Sequence, residues 1–274
     1  MRARLRSAPR SLRQPWYPTQ EYHGLVFAYL GPPKRKPVFP RDDIFEDLGD
    51  DEEIVVVDHF AFGGPPSAPC NWFQTHENNM DPLHIPILHN AISGPHFDPN
   101  LASWPALTFA APPTGVKAIA DRVLDDGRTL HRITEVRMPN LRIIPTPTLT
   151  VLGKTNNLSW GIPTDDTHTT VLALVRVRKG AAPPRSADYG GRTWFELDGE
   201  GHQRHPGDYE AQVGQGPITL HSEEHLASSD RGVSMVRRQF REQLAVVAAG
   251  GDPIGVSFDP ADAVVTVEAG NYIV

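Results

Sequence analysis

Residues 104–179 contain six strand-like segments in direct succession, and no helical period separates them. Strands that follow one another without intervening helices pair in antiparallel fashion, because parallel pairing requires a long crossover connection. The separators agree with this interpretation, since Asp126-Gly127 is typical of a tight hairpin turn. The chain is therefore predicted to build an antiparallel sheet.

One strong helix follows this region of strands. We expect Asp230 to cap it and Gly250-Gly251 to end it. A second helical segment is predicted from Asn71, its N-cap, to about Leu88. Strands with helices inserted among them define the α+β class. The apolar stripe of the late helix is predicted to consist of Val233, Val236, Phe240 and Leu244.

The remaining segments are interpreted from local composition. Residues 21–31 predict one short strand that ends at a Gly-Pro-Pro turn, so a domain boundary is expected near residue 33. The β-branched residues 52–62 predict another strand. Residues 181–216, rich in Gly, Pro, His and acids, predict a long functional loop.

Composition excludes several classes of protein. A net charge of -7, with no basic stripe, argues against nucleic-acid binding. No apolar run approaches the roughly 18 residues of a membrane span. The single cysteine, Cys70, excludes an internal disulfide and any metal cluster that needs two thiolates from this chain. A cytoplasmic location is expected, and the arginine-rich start predicts a solvated arm rather than a transit peptide.

An acid and two histidines lie close together in the segment NNMDPLHIPILH, residues 78–89. Asp81 and His84, three apart, share a face of a helix, but His84 and His89, five apart, diverge by about 140° on a regular one. Pro86 removes one helical hydrogen bond and can kink the helix, which lets both imidazoles face one point. The alternatives are a metal site and a loop in which the histidines are close by chance.

A longer segment, NWFQTHENNMDPLHIPILH (71–89), resembles the core signature N-W-x5-E-N-x2-D-x2-H-x4-H of Rieske-type non-haem iron aromatic-ring-hydroxylating oxygenases, in their α-subunit catalytic domain. The resemblance implies a helix-grip fold and ferrous iron bound by His84 and His89. It implies that Asp81 bridges toward the histidine of a neighbouring subunit's Rieske cluster. It also implies that Asn78 lies close to the iron without being a strong ligand.

The third iron ligand implied by the resemblance lies far downstream. GDYEAQVGQGPI, residues 207–218, is similar to the family segment D-x3-Q-x2-Q-G-P-I, which assigns the ligand to Asp208. Physical chemistry agrees with this set, because two imidazoles and one carboxylate leave open positions on one face of Fe(II). We also expect Asp81 to accept a hydrogen bond from a ligand imidazole and fix its tautomer. His202 and His205 are alternative ligands, although exposure in a loop is the simpler interpretation for both.

The N-terminal residues resemble the end of another domain. WYPTQEYHGLVFAYLGPP (16–33) is similar to the last strand of the Rieske domain in the phthalate- and vanillate-type branch. We therefore expect an arm and a strand remnant in residues 1–33, and a mononuclear iron catalytic domain in residues 34–274. The chain contains neither C-x-H nor C-x2-H, so the ligands of a 2Fe-2S cluster are absent from it. We expect electrons from a separate Rieske protein and a reductase, or else a truncated copy, in a homotrimer or hetero-oligomer.

The expected function is that of an oxygenase component that hydroxylates or O-demethylates an aromatic or apolar small molecule with O2. One alternative is a non-catalytic binding protein of the same fold. The other is a zinc hydrolase, because two histidines and a carboxylate also suit zinc with an open water position. Contacts to the site are possible roles for His221 and His225, and a pocket lining for Trp104, Trp160 and Trp194, although surface or core packing is the default.

Overall fold

The computed structural model describes residues 16–58, 64–181 and 192–274. Its centre is a nine-stranded sheet in which every pairing is antiparallel, as the succession of strands predicts. The sheet contains β4 (Glu52–Asp58), β5 (Ala106–Ala110), β6 (Gly115–Val123), β7 (Thr129–Arg137), β8 (Leu141–Ile143), β9 (Gly153–Lys154), β10 (Asn157–Asp165), β11 (His168–Arg178) and β13 (Gly270–Ile273).

The strand order follows the chain closely. β5, β6 and β7 form a meander, and the far edge of β7 is shared by β13 and β8. From β8 the sheet continues through β10 and β11 to β4, while β9 pairs with β13. A parallel pair of short strands, β3 (Arg41–Asp42) and β12 (Val264–Val265), lies outside this sheet.

The strand predicted for residues 21–31 is a hairpin instead. β1 (Thr19–Tyr22) pairs with β2 (Leu25–Ala28) through a two-residue turn. Both turn residues have positive φ, 49° at His23 and 84° at Gly24, which is the geometry that suits the twist of a two-residue hairpin. The sequence signal was weak because histidine seldom occupies this conformation. The hairpin packs on the sheet, where Phe27 contacts Trp160 edge-on with ring centroids 5.3 Å apart.

Five α-helical segments accompany the sheet in the described part of the chain. They are α1 (Trp72–Glu77), α2 (His84–Pro86), α3 (Gly199–Arg204), α4 (Asp208–Gly214) and α5 (Arg231–Ala248). The loop predicted for residues 181–216 therefore contains two short helices, while residues 182–191 of that prediction lie outside the described residues. Asp198 explains the first of them, because its side chain accepts a hydrogen bond from the Gly201 amide and caps α3.

The long helix α5 packs across the sheet and holds α1 in place. Val233 and Val236 join Met80 and the sheet residues Val116 and Val136 in one buried cluster. Gly232 permits this close approach, since a Cβ there would lie 2.6 Å from the Met80 carbonyl oxygen. The predicted stripe is wrong at one position, because Leu244 is 66% exposed. From Leu244 to Ala248, the end of α5, every residue is exposed. No helix in the described ranges is long and apolar enough to cross a membrane.

Candidate metal centre and its cavity

The segment that carries the two histidines changes its helical geometry four times. Asn71 caps α1, accepting a hydrogen bond from the Phe73 amide at 2.9 Å, as predicted. A 3₁₀ turn follows at Asn78–Met80, and Asp81 interrupts the helix. Helix resumes at His84 and passes after Pro86 into a π-helical segment, Ile87–Ile92. The continuous helix predicted from Asn71 to Leu88 is therefore broken at Asp81.

The π-helical segment determines where His89 points. In it the Ser93 amide donates to the Leu88 carbonyl, five residues back, instead of four. This wider turn brings residues five apart toward the same face, which a regular α-helix does not. The imidazoles of His84 and His89 have ring centroids only 5.4 Å apart. Pro86, which has no amide hydrogen to continue the regular pattern, stands directly before this change.

Asp208 begins α4, and its carboxylate lies next to both imidazoles. Its Oδ1 lies 3.2 Å from His89 Nε2 and 3.6 Å from His84 Nε2. The side-chain amide of Asn78 donates to the same oxygen at 3.4 Å. The candidate ligand atoms of His84, His89 and Asp208 all lie within 4.8 Å of one another. The structure thus brings Asp208 next to His84 and His89, although it lies 119 residues beyond His89 in the sequence.

The charge state of Asp208 follows from these neighbours. Burial raises the pKa of its carboxyl, but His89, His84 and the Asn78 amide outweigh burial and hold that pKa well below its usual range. The carboxylate is therefore ionised at neutral pH. Asp208 lines the cavity, and 44% of its side chain is exposed.

The orientation of each imidazole is fixed on the side away from Asp208. His84 Nδ1 makes a short contact with the backbone carbonyl of Asp81, so a proton on Nδ1 leaves Nε2 with a free lone pair. The ring of His89 stacks on Phe97 with centroids 4.1 Å apart. His89 Nδ1 lies 3.4 Å from Nδ1 of His96.

Asp81 contacts the site differently from the expectation that its carboxylate accepts the imidazole hydrogen. The backbone carbonyl of Asp81 contacts His84 Nδ1 instead. The carboxylate Oδ1 of Asp81 accepts a hydrogen bond from the Leu83 amide at 2.9 Å. A backbone carbonyl fixes the tautomer as well as a carboxylate does. The side chain of Asp81 still lines the cavity. Its bridging role toward another subunit stays a prediction.

A second group of candidate ligand atoms belongs to Glu77, at the end of α1, and to His221 and Glu224. Arg237 of α5 occupies its centre, donating to Glu77 at 2.7 Å and to Glu224 at 3.0 Å. The guanidinium forms ion pairs with both carboxylates and takes the position that a cation would need. The group is therefore a structural ion pair, in which His221 stands at the edge, 4.0 Å from Glu77.

The other residues considered from the sequence lie away from the ligand atoms. His202 contacts Glu210 at 3.0 Å, and His205 contacts the carbonyl of Ser93 at 2.9 Å, so neither joins the candidate ligand set. Trp104 is 68% exposed, and Trp160 packs against the core. Three residues near the site escaped the sequence analysis, namely His96, Arg132 and Arg142. Alternation along β7 could have indicated Arg132, whereas β8, with three residues, is too short to show a register.

The ligand atoms open into a cavity of about 570 Å³ between the sheet and the helical segments. Such a volume suits a small organic molecule. Most of its wall is apolar, contributed by Ile85, Phe97, Ala118, Ala120, Ile144, Pro145, Pro147, Val151, Val171 and Val175.

The residues present fit a ferrous ion. Two imidazole nitrogens and one ionised carboxylate form the 2-His-1-carboxylate set that non-haem iron enzymes use, with the remaining positions open toward the cavity. The fixed Nδ1 contact of His84 presents Nε2 for coordination. The same donors also accept zinc, so the choice of metal rests on more than geometry.

This combination of fold, donor set and apolar cavity is typical of the catalytic domain of non-haem iron oxygenases. The curated relatives of the chain are oxygenase subunits of Rieske-type aromatic oxygenases, which confirms the resemblance. It is 44% identical over 268 residues to the phenoxybenzoate dioxygenase subunit alpha of Ectopseudomonas oleovorans, covering 95% of this chain and 64% of that one. No model of a known protein family matches the sequence.

Two further relatives are also oxygenase subunits. The tert-butanol monooxygenase / tert-amyl alcohol desaturase oxygenase subunit of Aquincola tertiaricarbonis is 32% identical, over 90% of this chain and 56% of its own length. The 5,5'-dehydrodivanillate O-demethylase oxygenase subunit of Sphingobium sp. is 29% identical, over 89% and 56%. The chain thus spans somewhat less than two thirds of these relatives.

Solved structures show the same fold at low identity. NdmB of Pseudomonas putida CBB5 superimposes with a TM-score of 0.55 at 13% identity, over 86% of this chain and 62% of that one. NdmA of the same organism, with caffeine, gives 0.54 at 16% identity, over 86% and 63%. The predicted α+β, helix-grip class is confirmed.

Proposed function

We propose that this chain is the iron-binding catalytic part of an oxygenase, in which His84, His89 and Asp208 bind one Fe(II). The single observation that carries the proposal is the convergence of two imidazole Nε2 atoms and one carboxylate oxygen, within 4.8 Å, at the edge of an apolar cavity. When bound, the ferrous ion supplies the means to activate O2 for insertion into a substrate held beside it.

The chain's own residues hold and orient the reactants. The apolar wall, including Phe97 and Val171, excludes water and binds the body of the substrate. Asn78 supports the carboxylate ligand by donating to Oδ1 of Asp208. The Asp81 carbonyl holds the proton on His84 Nδ1 and so keeps Nε2 directed at the ion.

The proposed substrate is an aromatic or similarly apolar small molecule, either hydroxylated or O-demethylated. This class is supported by the cavity wall and by relatives whose names include phenoxybenzoate and dehydrodivanillate. Oxygen activation needs external electrons, and the sequence has a single cysteine and so no ligand set for a Rieske cluster. We propose that a Rieske centre outside these residues, served by a reductase, supplies them.

The proposal extends to architecture. Residues 34–274 would form the catalytic domain, and residues 16–33, which include the β1–β2 hairpin, would be the edge of a Rieske domain. Asp81 would face a cluster carried by a neighbouring subunit in a trimer or hetero-oligomer, as the resemblance implies. Replacing Asp81 with Asn would then slow electron delivery while leaving the amount of bound iron unchanged.

Metal analysis tests the proposal directly. Metal-free protein titrated anaerobically with Fe(II) is expected to bind one ion per chain, as measured by elemental analysis after gel filtration. The Asp208→Ala and His89→Ala variants are expected to lose at least about 10-fold in affinity, because each loses a direct ligand. His168→Ala is a matched control, since that histidine is exposed on the β10–β11 hairpin and contacts Asp165.

Three outcomes would contradict parts of the proposal. Full iron retention by Asp208→Ala would show that another group is the carboxylate ligand. Stoichiometric zinc in the purified protein, together with ester or amide hydrolysis that needs no O2, would indicate a zinc hydrolase. Failure of the iron-loaded protein to oxidise any aromatic compound, when supplied with a Rieske protein, a reductase and O2, would indicate a binding protein.

A further inference from the structure

Buried arginines in this fold are of two kinds. Among the described residues, Arg137 and Arg237 are each held by two carboxylates. The other three, Arg122, Arg132 and Arg142, have no carboxylate within ion-pair distance in the described part of the chain. A buried cation without an anion is costly, so these three residues do not stabilise the fold as ion pairs. Only Arg132 and Arg142 of these three line the cavity.

Arg142 is the least satisfied of the cavity arginines. It is 9% exposed and stands on β8 beside Ser159 of β10. Within the described ranges, its guanidinium has no hydrogen bond or ion pair, and its Nε is fully enclosed without a partner. Burial lowers the pKa of Arg142 to about 10, which leaves it protonated at neutral pH. A charged fork of hydrogen-bond donors thus lines the cavity, and no acceptor among the described residues receives it.

The neighbours of Arg142 do not supply the missing anion. Burial and the charge of Arg142 lower the pKa of His76 to about 3, so that imidazole is neutral. Asp208 is the carboxylate whose charge acts on Arg142, but it lies beyond ion-pair distance and is directed to the two histidines. In the iron-bound enzyme that carboxylate would be a metal ligand, and less of its charge would be available.

Arg132 has a different environment. Its Nη1 donates to Asn271 at 2.7 Å and its Nη2 to the Pro145 carbonyl at 2.7 Å, so neutral acceptors fix its position. It adds positive charge to the cavity without offering many free donors. The charged side chains of the lining are two carboxylates, Asp81 and Asp208, and two arginines, Arg132 and Arg142. Their charges sum to zero. A bound divalent ion therefore leaves an excess of positive charge around the substrate.

We propose that Arg142 binds the carboxylate of the substrate, so that the substrate is an apolar molecule with one acidic group. A guanidinium fork matches a carboxylate in bidentate geometry, and an apolar wall matches an aromatic ring. The inference rests on the proposed function, because it names the substrate class of that same cavity. Arg142 is a specificity-determining residue in this scheme, since it touches the substrate at a point away from the metal ligands.

Equilibrium binding without turnover tests the proposal. The meta isomers of phenoxybenzoate and phenoxybenzamide differ in charge at one group, and their affinities are measured by calorimetry under anaerobic conditions. The wild-type protein is expected to bind the acid at least about 10-fold more tightly than the amide. Arg142→Gln is expected to weaken acid binding by about 10- to 100-fold, the range for a charge-assisted hydrogen bond, and to leave amide binding within about threefold.

Two controls separate the possible causes. Arg122→Gln removes a buried arginine that also has no carboxylate partner but does not line the cavity, and it is expected to leave both affinities unchanged. The measurements are repeated on metal-free protein, where preference for the acid persists if Arg142 is its origin and disappears if the carboxylate coordinates the metal directly.

The outcomes distinguish this inference from the proposed function. Equal binding of acid and amide by the wild-type protein overturns the inference even if Arg142→Gln does not fold. Acid preference that survives in folded Arg142→Gln, or that vanishes with the metal, also overturns it. Iron stoichiometry measured on the same samples reports the proposed function separately, because a site that binds no iron contradicts that function whichever ligand is preferred.

Discussion

Arg237 on α5 donates hydrogen bonds from Nε and Nη2 to the two carboxylate oxygens of Glu77 on α1, each at 2.7 Å. Glu77 directly precedes Asn78, whose amide supports the carboxylate of Asp208. The pair therefore fixes the end of α1 from which the candidate metal centre is built. Both side chains are only 8% exposed, and Glu224 is a second carboxylate paired with the same arginine.

Replacing Glu77 with Gln is expected to destabilise the protein by about 3 kcal/mol, because it breaks a buried ion pair and leaves Arg237 with one carboxylate. Urea unfolding followed by circular dichroism measures this. Glu242→Gln is the matched control: Glu242 lies 3.7 Å from Arg238 on the exposed face of the same helix, and its loss should change stability by less than about 0.5 kcal/mol. Equal effects would show that burial of the Glu77 pair does not matter.

Gly232 offers a test of the packing between α5 and the 3₁₀ turn that contains Asn78. A Cβ at this position would lie 2.6 Å from both the Met80 carbonyl and the Phe109 ring, so Gly232→Ala is expected to cost about 1–3 kcal/mol. In Gly214→Ala, at the end of α4, a Cβ meets no atom within 4 Å, and a small gain or no change is expected. Thermal unfolding compares the two variants, and a stable Gly232→Ala would refute the close approach.

Asp42 predicts a specific dependence of stability on pH. Burial raises the pKa of Asp42 to about 6, against the opposing effect of Arg137, while Glu135 and Asp43 add negative charge nearby. Between about pH 4 and pH 6 the folded carboxyl holds a proton that the unfolded one has lost. The folded state then binds more protons, so the free energy of unfolding falls as pH rises through this window.

Asp42→Asn isolates this contribution because it removes the titrating group. The difference in unfolding free energy, wild type minus variant, is expected to decline by up to about 2 kcal/mol from pH 4 to pH 6. It should be flat above about pH 7. Urea titrations at each pH give both curves, and parallel curves across the whole range would mean that the carboxyl ionises normally beside Arg137.

The sheet was predictable because its strands follow one another and alternate in burial, as in β6, where every second residue faces the interior. Asn71 was predictable as a cap because capping depends on local chemistry. The hairpin turn at His23 was not, since only the twist of the paired strands explains a positive φ there. The prediction for Leu244 is wrong because periodicity does not show which turns of a long helix are buried, and the last turns of α5 are exposed.

For the candidate site, spacing and the family signature led to His84, His89 and Asp208, and the structure shows how close they lie. The sequence did not show the geometry of Asp81, because either its carbonyl or its carboxylate can accept a hydrogen bond from an imidazole. Arg142 was missed for another reason. A charged residue in a short strand is usually exposed, and only the complete sheet shows that this one faces inward.

Pro86 lies between the two histidines of the candidate metal centre, and its effect on their geometry can be tested by itself. Its missing amide hydrogen precedes the π-helical segment that turns His89 toward His84. In Pro86→Ala the restored amide can donate to the Pro82 carbonyl, and a regular α-helix would rotate His89 away by about 140° from His84. We expect Fe(II) affinity to fall at least about 10-fold while the far-ultraviolet dichroism shows equal or greater helix content.

Pro99→Ala is the control for this change, because Pro99 begins a 3₁₀ helix where a missing amide hydrogen has no partner to lose. That variant should bind Fe(II) as the wild type does. Unchanged affinity in Pro86→Ala would mean that Phe97, stacked on His89, and the Asp208 contact hold the π-helical turn without the proline. A parallel loss in both variants would instead indicate a general loosening of the fold, which the unfolding curves of the two proteins would show.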